Sequence, residues 1–158
     1  MNGACGPEPA PLNLFHVREA PLDQGATIAP GRWGAIVLAH GKEHPFFFRE
    51  HLLEMWRVLK TNVRVSRLNC AFAFESREQA ERYAAPNEVI LEVVAVDCLA
   101  PSARLDMLWV TWMGEPSVTT ERMMGWCSGY WSGKSTADLK PDAIPSWEWL
   151  FAYPLRVV

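Results

Sequence analysis

Long apolar runs are missing from this chain: no stretch approaches the roughly 18 consecutive apolar residues that a membrane-spanning helix requires, so a membrane-embedded protein is not expected. An excess of positive charge is missing too. Fifteen Lys and Arg stand against 18 Asp and Glu, for a net charge of −3. General attraction to nucleic acid phosphates is therefore not expected, and a basic groove would have to be local. Paired cysteines are absent as well. Cys5, Cys70, Cys98 and Cys127 form no Cys-x-x-Cys pair, and three of the four lie in apolar stretches. That is the setting of small buried thiols in a reducing compartment. Residues 1–11 carry neither the basic start nor the apolar centre of a secretion signal. They read as a flexible N-terminal tail rich in Gly, Pro and Ala, and the expected location is the cytoplasm.

Several catalytic signatures are also missing. There is no G-x-G-x-x-G and no G-x-S-x-G. Gly129-Tyr130-Trp131-Ser132-Gly133-Lys134-Ser135 comes near a phosphate loop, but it has three residues between its glycines instead of four and follows a helical pattern instead of a strand. It reads as a helix C-terminal loop with Gly as the stop. His40-Gly41-Lys42-Glu43-His44 matches H-x-x-E-H, an inverted zinc-protease signature. That chemistry needs both His on one helical turn, and Gly41 and the following Pro45 oppose one. A metal-dependent hydrolase using His40 and His44 is kept as an alternative; otherwise no metal is expected.

The chain does carry a globular composition, 49% hydrophobic and 21% charged, with 158 residues forming one domain over 12–158. Eight Trp are present, and six of them lie between Trp109 and Trp149. Such density suits a stacking pocket, a Trp-rich core or a partner surface.

Periodicity predicts a strand at 12–17, a long connection at 21–34, a short apolar run at 35–39 and a loop at 40–45. An amphipathic helix follows at 46–60, with Phe48, Leu52, Leu53, Met55, Trp56 and Leu59 at helical spacing. Residues 63–74 alternate as a strand. Ser76 and Gln79 have the spacing of a capping box that starts a helix to Ala85. Residues 89–96 read as a Val- and Ile-rich strand and 108–113 as another. A helix is predicted at 117–130. The closing strand, 147–157, is broken at Pro154 and so placed at an edge or bulge. Strands and helices do not alternate regularly enough for a doubly wound parallel sheet. The expectation is α+β, with a mostly antiparallel split or two-sheet core and flanking helices.

Two polar residues stand out in apolar ends: His16 in Leu14-Phe15-His16-Val17-Arg18, and Glu148 in Trp147-Glu148-Trp149-Leu150-Phe151. A carboxylate between two Trp in a terminal strand is costly to desolvate unless it has a partner or a task. Alternation also permits the plainer arrangement, with Glu148 facing water and the two Trp facing the core.

Three segments in order resemble the ADP-ribosyltransferase superfamily. The first is Leu14 to Arg18, followed by Gly31-Arg32-Trp33-Gly34, similar to that family's opening strand. The second is the run Ser66-Arg67-Leu68-Asn69-Cys70-Ala71-Phe72-Ala73-Phe74 leading into a helix. The third is Trp147-Glu148-Trp149-Leu150 near the end. The resemblance implies that NAD is the substrate and that its nicotinamide–ribose bond is cleaved, by an ADP-ribosyltransferase or an NAD glycohydrolase. Glu148 would stabilise the oxocarbenium-like transition state. His16 would bind the adenosine ribose, and Arg18, on the same strand face, the pyrophosphate. Ser66, Arg67 and Asn69 are the polar candidates of the second segment, with Arg67 and Asn69 sharing a strand face. Tyr130 would supply a stacking ring. The family's Ser-Thr-Ser triplet is absent, and Phe72 and Phe74 stand where a Tyr is usual. A non-catalytic ligand-binding or protein-interaction domain is the alternative. The acceptor of ADP-ribose is left open.

Overall fold

The computed structural model describes residues 13–96, 100–115 and 117–158. The expected tail at 1–11, with Cys5, and also Leu12 and Cys98 lie outside the described residues.

Seven strands form one antiparallel sheet: β1 (Leu14–Arg18), β2 (Thr27–Ile28), β3 (Ala71–Phe74), β4 (Val89–Ala95), β5 (Ser102–Asp106), β6 (Trp147–Phe151) and β7 (Leu155–Val157), in the order β2-β7-β4-β1-β3-β6-β5. Five α-helices flank it: α1 (Arg32–His40), α2 (Phe47–Lys60), α3 (Arg77–Glu81), α4 (Leu108–Trp112) and α5 (Thr120–Trp131). The α+β class and the antiparallel pairing match the expectation. Among the described residues no helix is long and apolar enough to cross a membrane.

The connections show that the sheet bends sharply. Residues 152–154 join β6 to β7, which lie four places apart in the strand order. In a flat sheet that separation would be roughly 19 Å at about 4.8 Å per strand. The chain from Phe151 to Leu155 spans at most about 14 Å. The weakest link is central: β1 and β3 share the single registered pair Phe15↔Phe74, whereas β1 and β4 share five. The strands on either side of that pair, β2-β7-β4-β1 and β3-β6-β5, form two limbs of the one sheet, joined most thinly at Phe15 and Phe74.

Two apolar cores follow from the alternation along β6. Leu150 faces α2, α4 and α5 and packs with Leu53, Trp109, Val110, Tyr130 and Trp131. Trp149 and Phe151 face the other way and pack with Leu14, Val93, Tyr153 and Leu155. With both faces covered, β6 is a near-continuous apolar run. Neither β6 nor β7 is an edge strand, contrary to the expected edge placement. Pro154 instead sits in the link between the limbs.

Other expectations are corrected. Residues 63–74 are not one strand: a 3₁₀ turn, Arg67–Asn69, interrupts them before β3, and Ser66 Oγ caps it by accepting from Leu68 N. Residues 108–113 are helical as α4 instead of a strand. The fully buried Asp106 carboxylate accepts from Leu108 N and so initiates the turn. It also accepts from Thr136 N, Thr136 Oγ1 and Ser146 N. Strand β5 and helix α1 lie where no regular element was predicted. The helix from Ser76 is shorter than expected, ending at Glu81, but Ser76 Oγ does accept from Gln79 N. On α2 the apolar stripe is only half turned inward: Leu52, Leu53 and Trp56 pack on the core, whereas Phe48 is 73% exposed and Leu59 67%. The buried residues of the inner face are Leu53 and, unexpectedly, Glu50.

Helix α1 is set tightly against the Arg67–Asn69 turn through Gly34. A Cβ at that position would lie 1.8 Å from the Leu68 carbonyl oxygen. That atom is backbone and cannot rotate away. Gly34→Ala is expected to destabilise the fold by about 2–3 kcal/mol through forced separation of α1 from this turn, measured by chemical denaturation. A loss below about 0.5 kcal/mol, the level of an ordinary surface change, would contradict that packing.

Candidate functional site

A cleft of about 860 Å³ opens where the two limbs diverge, within the ~300–1,000 Å³ usual for ligand pockets. Strand β1 contributes His16, Val17 and Arg18, and β3 with its approach contributes Cys70, Phe72 and Phe74. Helix α1 adds Arg32 and Trp33, and α2 with its approach adds Phe46 and Arg49. At the other end stand Arg82, Tyr83 and Glu88 with Thr111 and Glu115. The Tyr83 ring stacks on Phe74 with 5.1 Å between centroids and 4° between planes. Five arginines and four glutamates line this cleft, so it is locally more basic than the acidic chain as a whole.

Glu148 reaches the cleft floor from β6 on the same face as Leu150, and it is 2% exposed. The plainer reading, Glu148 in water with both Trp inward, is not what occurs. Trp149 is buried in the second core, and Trp147 lies under the Arg104 guanidinium, 3.7 Å from its ring centroid. The Oε1 of Glu148 accepts from Arg67 Nη1 at 2.5 Å and from Tyr130 OH at 2.6 Å. Arg67 is itself 3% exposed. Its Nε donates to Glu50 Oε2 at 2.9 Å, its Nη2 to Glu50 Oε1 at 3.4 Å, and its Nη1 also to Tyr130 OH. Arg49 Nη2 donates to Glu50 Oε1 at 3.0 Å. Two cations and two anions thus alternate as Arg49–Glu50–Arg67–Glu148, with Tyr130 bridging the last pair.

The ionisation of this cluster follows its geometry. Burial pushes the Glu148 carboxyl above its ordinary range, with Arg67 and Tyr130 opposing. Burial also acts to raise Glu50, but Arg67 and Arg49 together outweigh it and leave that carboxyl below its ordinary range. The difference reflects two guanidinium neighbours for Glu50 against one for Glu148. Burial alone would lower Arg67; Glu148 and Glu50 reverse that and hold the guanidinium protonated, well above its usual value. Burial likewise raises the Tyr130 phenol and the Cys70 thiol well above their usual values. Cys70 is therefore a thiol in the wall, not a thiolate nucleophile.

His16 fills the point of divergence. Its Nδ1 lies 2.6 Å from the Phe72 carbonyl oxygen. A carbonyl only accepts, so Nδ1 carries the proton and donates. The side chain thus replaces a ladder hydrogen bond where β1 leaves β3. Burial lowers the His16 pKa, with the Phe72 carbonyl opposing. In the neutral ring Nε2 is then an acceptor.

The structure brings four of the expected residues to one cleft: His16, Arg18, Arg67 and Glu148. It does not bring Ser66, Asn69 or Tyr130 to the lining. Ser66 Oγ donates to Glu54, Asn69 lies beside Gly31, and Tyr130 is fully buried behind Glu148. Because Arg67–Asn69 is a 3₁₀ turn, the expected shared strand face of Arg67 and Asn69 does not exist. Sequence reasoning passed over Glu50 and Arg49, and it gave no site role to Arg32 or Trp33. Glu50 was legible only as a charge three residues before Leu53, the next residue of the face that α2 buries. His40 and His44 flank a 3₁₀ turn, Gly41–Glu43, not one helix face. His40 Nδ1 donates to Ile36 O and His44 Nδ1 accepts from Phe46 N. No group of three or more His, Cys, Asp or Glu arranged for a metal ion occurs among the described residues. The near phosphate loop is the end of α5 and the turn after it, where Gly133 takes a φ of 69°. No family model and no curated protein matches the chain.

The lowered pKa of His16 makes a signed prediction. Folding favours the neutral ring, so the stability it confers is present above the ordinary value of 6.5. It is lost as the pH falls through the folded-state pKa. Between pH 7 and 5 the unfolding free energy should decline with a slope bounded by one proton, about 1.4 kcal/mol per pH unit. His16→Asn should flatten that decline in denaturation curves taken across the window. An identical slope in the variant would remove His16 as the source.

Proposed function

We propose that the cleft binds NAD and that the protein cleaves its nicotinamide–ribose bond, passing ADP-ribose to water or to a nucleophile on a second molecule. The observation that carries this reading is that His16 and Arg18 of the first strand and Glu148 of β6 line one hollow of ligand size. The division of the sheet into two limbs, with the hollow between them, also suits an ADP-ribosyltransferase-like fold with a split core. Neutral His16 offers Nε2 as acceptor to a ribose hydroxyl. Arg18 and Arg32 offer guanidinium forks for pyrophosphate oxygens. Arg18 Nε, Trp33 Nε1 and Arg49 Nε are buried donors that find no acceptor among the described residues, and an acceptor-rich ligand in the cleft suits such a wall.

In this mechanism the C1′–N bond breaks and its electron pair leaves with nicotinamide. Positive charge then spreads over C1′ and the ring oxygen of the ribose. Glu148, held in a site of low dielectric, stabilises that charge far more than it would in water. The incoming nucleophile bonds to C1′, and its proton passes to bulk water. A second reading, nucleotide binding without cleavage, rests on one observation: Arg67 and Tyr130 both occupy Glu148 Oε1. Among the described residues Oε2 accepts no hydrogen bond, and that is the oxygen cleavage would use.

Glu148→Gln keeps the volume and removes the charge. NAD turnover, followed by nicotinamide release, is expected to fall about 100-fold or more, the usual cost of losing a transition-state electrostatic partner. Unchanged turnover would sink the catalytic assignment. Arg18→Ala is expected to weaken NAD binding about tenfold, or about 1.4 kcal/mol, measured by calorimetry. NAD should raise the melting temperature of the wild type by mass action. Absence of any shift with NAD, ADP-ribose or nicotinamide would point to an interaction domain instead.

A further inference from the structure

We propose that Arg67 is a positioning residue, which aims the Glu148 carboxylate into the cleft and supplies its counter-charge, and that Glu50 locks Arg67 in that pose. This inference deepens the NAD-cleaving reading and rests on it for its catalytic meaning. Three observations carry it. First, Arg67 is fixed from every side. Glu50 takes Nε and Nη2, Tyr130 and Glu148 take Nη1, and the Phe72 and Tyr130 rings lie 4.9 and 5.3 Å from Cζ. Second, the backbone beneath it is held. The 3₁₀ turn that carries Arg67 is capped by Ser66 and pressed by Gly34 of α1. Third, the chain of charges ends at the cleft instead of closing within the core. Arg49, Arg67 and Glu148 line the hollow, and of the four charges only Glu50 does not.

A merely structural ion pair would need none of this directionality. Both donors to Glu148 converge on Oε1, and among the described residues Oε2 accepts no hydrogen bond. A buried pair missing one member leaves an uncompensated charge, so without Arg67 the Glu148 carboxyl would hold its proton more tightly. The titratable or charged groups around Glu148 are Arg67 from the turn, Tyr130 from α5, Arg49 and Glu50 from α2, and Cys70 before β3. Of these, Arg49 and Arg67 are the cations.

The test is a ¹³C-carboxyl NMR titration of glutamate-labelled protein, with the Glu148 resonance assigned by its loss in Glu148→Gln. The double variant Glu50→Gln/Arg67→Met removes one charge of each sign, so the cluster stays neutral. In it Glu148 is expected to titrate at least about one pH unit higher than in the wild type, and the acid limb of the kcat profile should move with it. An unchanged titration would overturn the counter-charge role. If the double variant does not fold, Arg67→Lys keeps the charge and loses the fork. That variant should lower kcat about tenfold while KM for NAD changes less than about threefold. Unchanged kcat in Arg67→Lys would overturn the positioning role. Absence of NAD turnover in the wild type would sink the NAD reading, and the titration would still decide whether Arg67 is the counter-charge of Glu148.

Discussion

The fully desolvated guanidinium of Arg67 is the constraint on which the site depends. A buried cation is tolerable only where anions meet it with good geometry, and here they come from two distant parts of the chain: Glu50 from α2 and Glu148 from β6. Because each must reach Arg67 at hydrogen-bond distance, the helix, the turn and the strand have little freedom relative to one another. The same requirement fixes Tyr130, whose hydroxyl accepts from Arg67 and donates to Glu148. Such a network contributes little net stability compared with an apolar core of equal volume, yet breaking it from one side is costly. It lies at the floor of a cleft rather than in the centre of a core, with Arg49, Arg67 and Glu148 in the lining.

The cleft itself is a consequence of topology. A three-residue link between β6 and β7 forces the sheet to fold back, and the single β1–β3 pair is where it yields. Beyond that pair the backbone groups of the two limbs no longer meet. The His16 side chain satisfies the Phe72 carbonyl there, and the space left is walled by arginines and aromatic rings. Burial lowers the His16 pKa for the same reason that the cleft exists: the ring occupies a gap between strands. On the far side of β6, Asp106 performs a comparable service, gathering the start of α4 and the loops before β6 through four hydrogen bonds to one carboxylate.

Much of the fold was legible locally. The Val- and Ile-rich β4, the helix at α2, the Ser76 cap and the helix at α5 each follow from periodicity or a capping residue within a short window. The misreadings share a cause. Residues 108–113 are an apolar run that reads as a strand, but a buried Asp106 side chain captures Leu108 N and turns the chain into a helix. Residues 63–74 alternate likewise, but burial of Arg67 against Glu50 and Glu148 requires a 3₁₀ turn that no pattern of apolar residues encodes. The exposed stripe of Phe48, Met55 and Leu59 shows the converse: α2 turns inward the face that carries Glu50, because Arg67 must be met.

By itself the sequence determined the α+β class, the antiparallel pairing preference and the expectation that His16 and Glu148 have tasks, since a polar group in an apolar strand signals its cost from composition alone; a role for Arg18 came only from the resemblance. Only the tertiary structure decided that these residues share one hollow, that Arg67 belongs with them, and that Ser66, Asn69 and Tyr130 stand behind or beside it. The physical reason is range. Strand and helix periodicity act over a few residues, whereas the desolvation of Arg67 is offset by carboxylates 17 and 81 positions away, a distance across which no local pattern in the chain carries information.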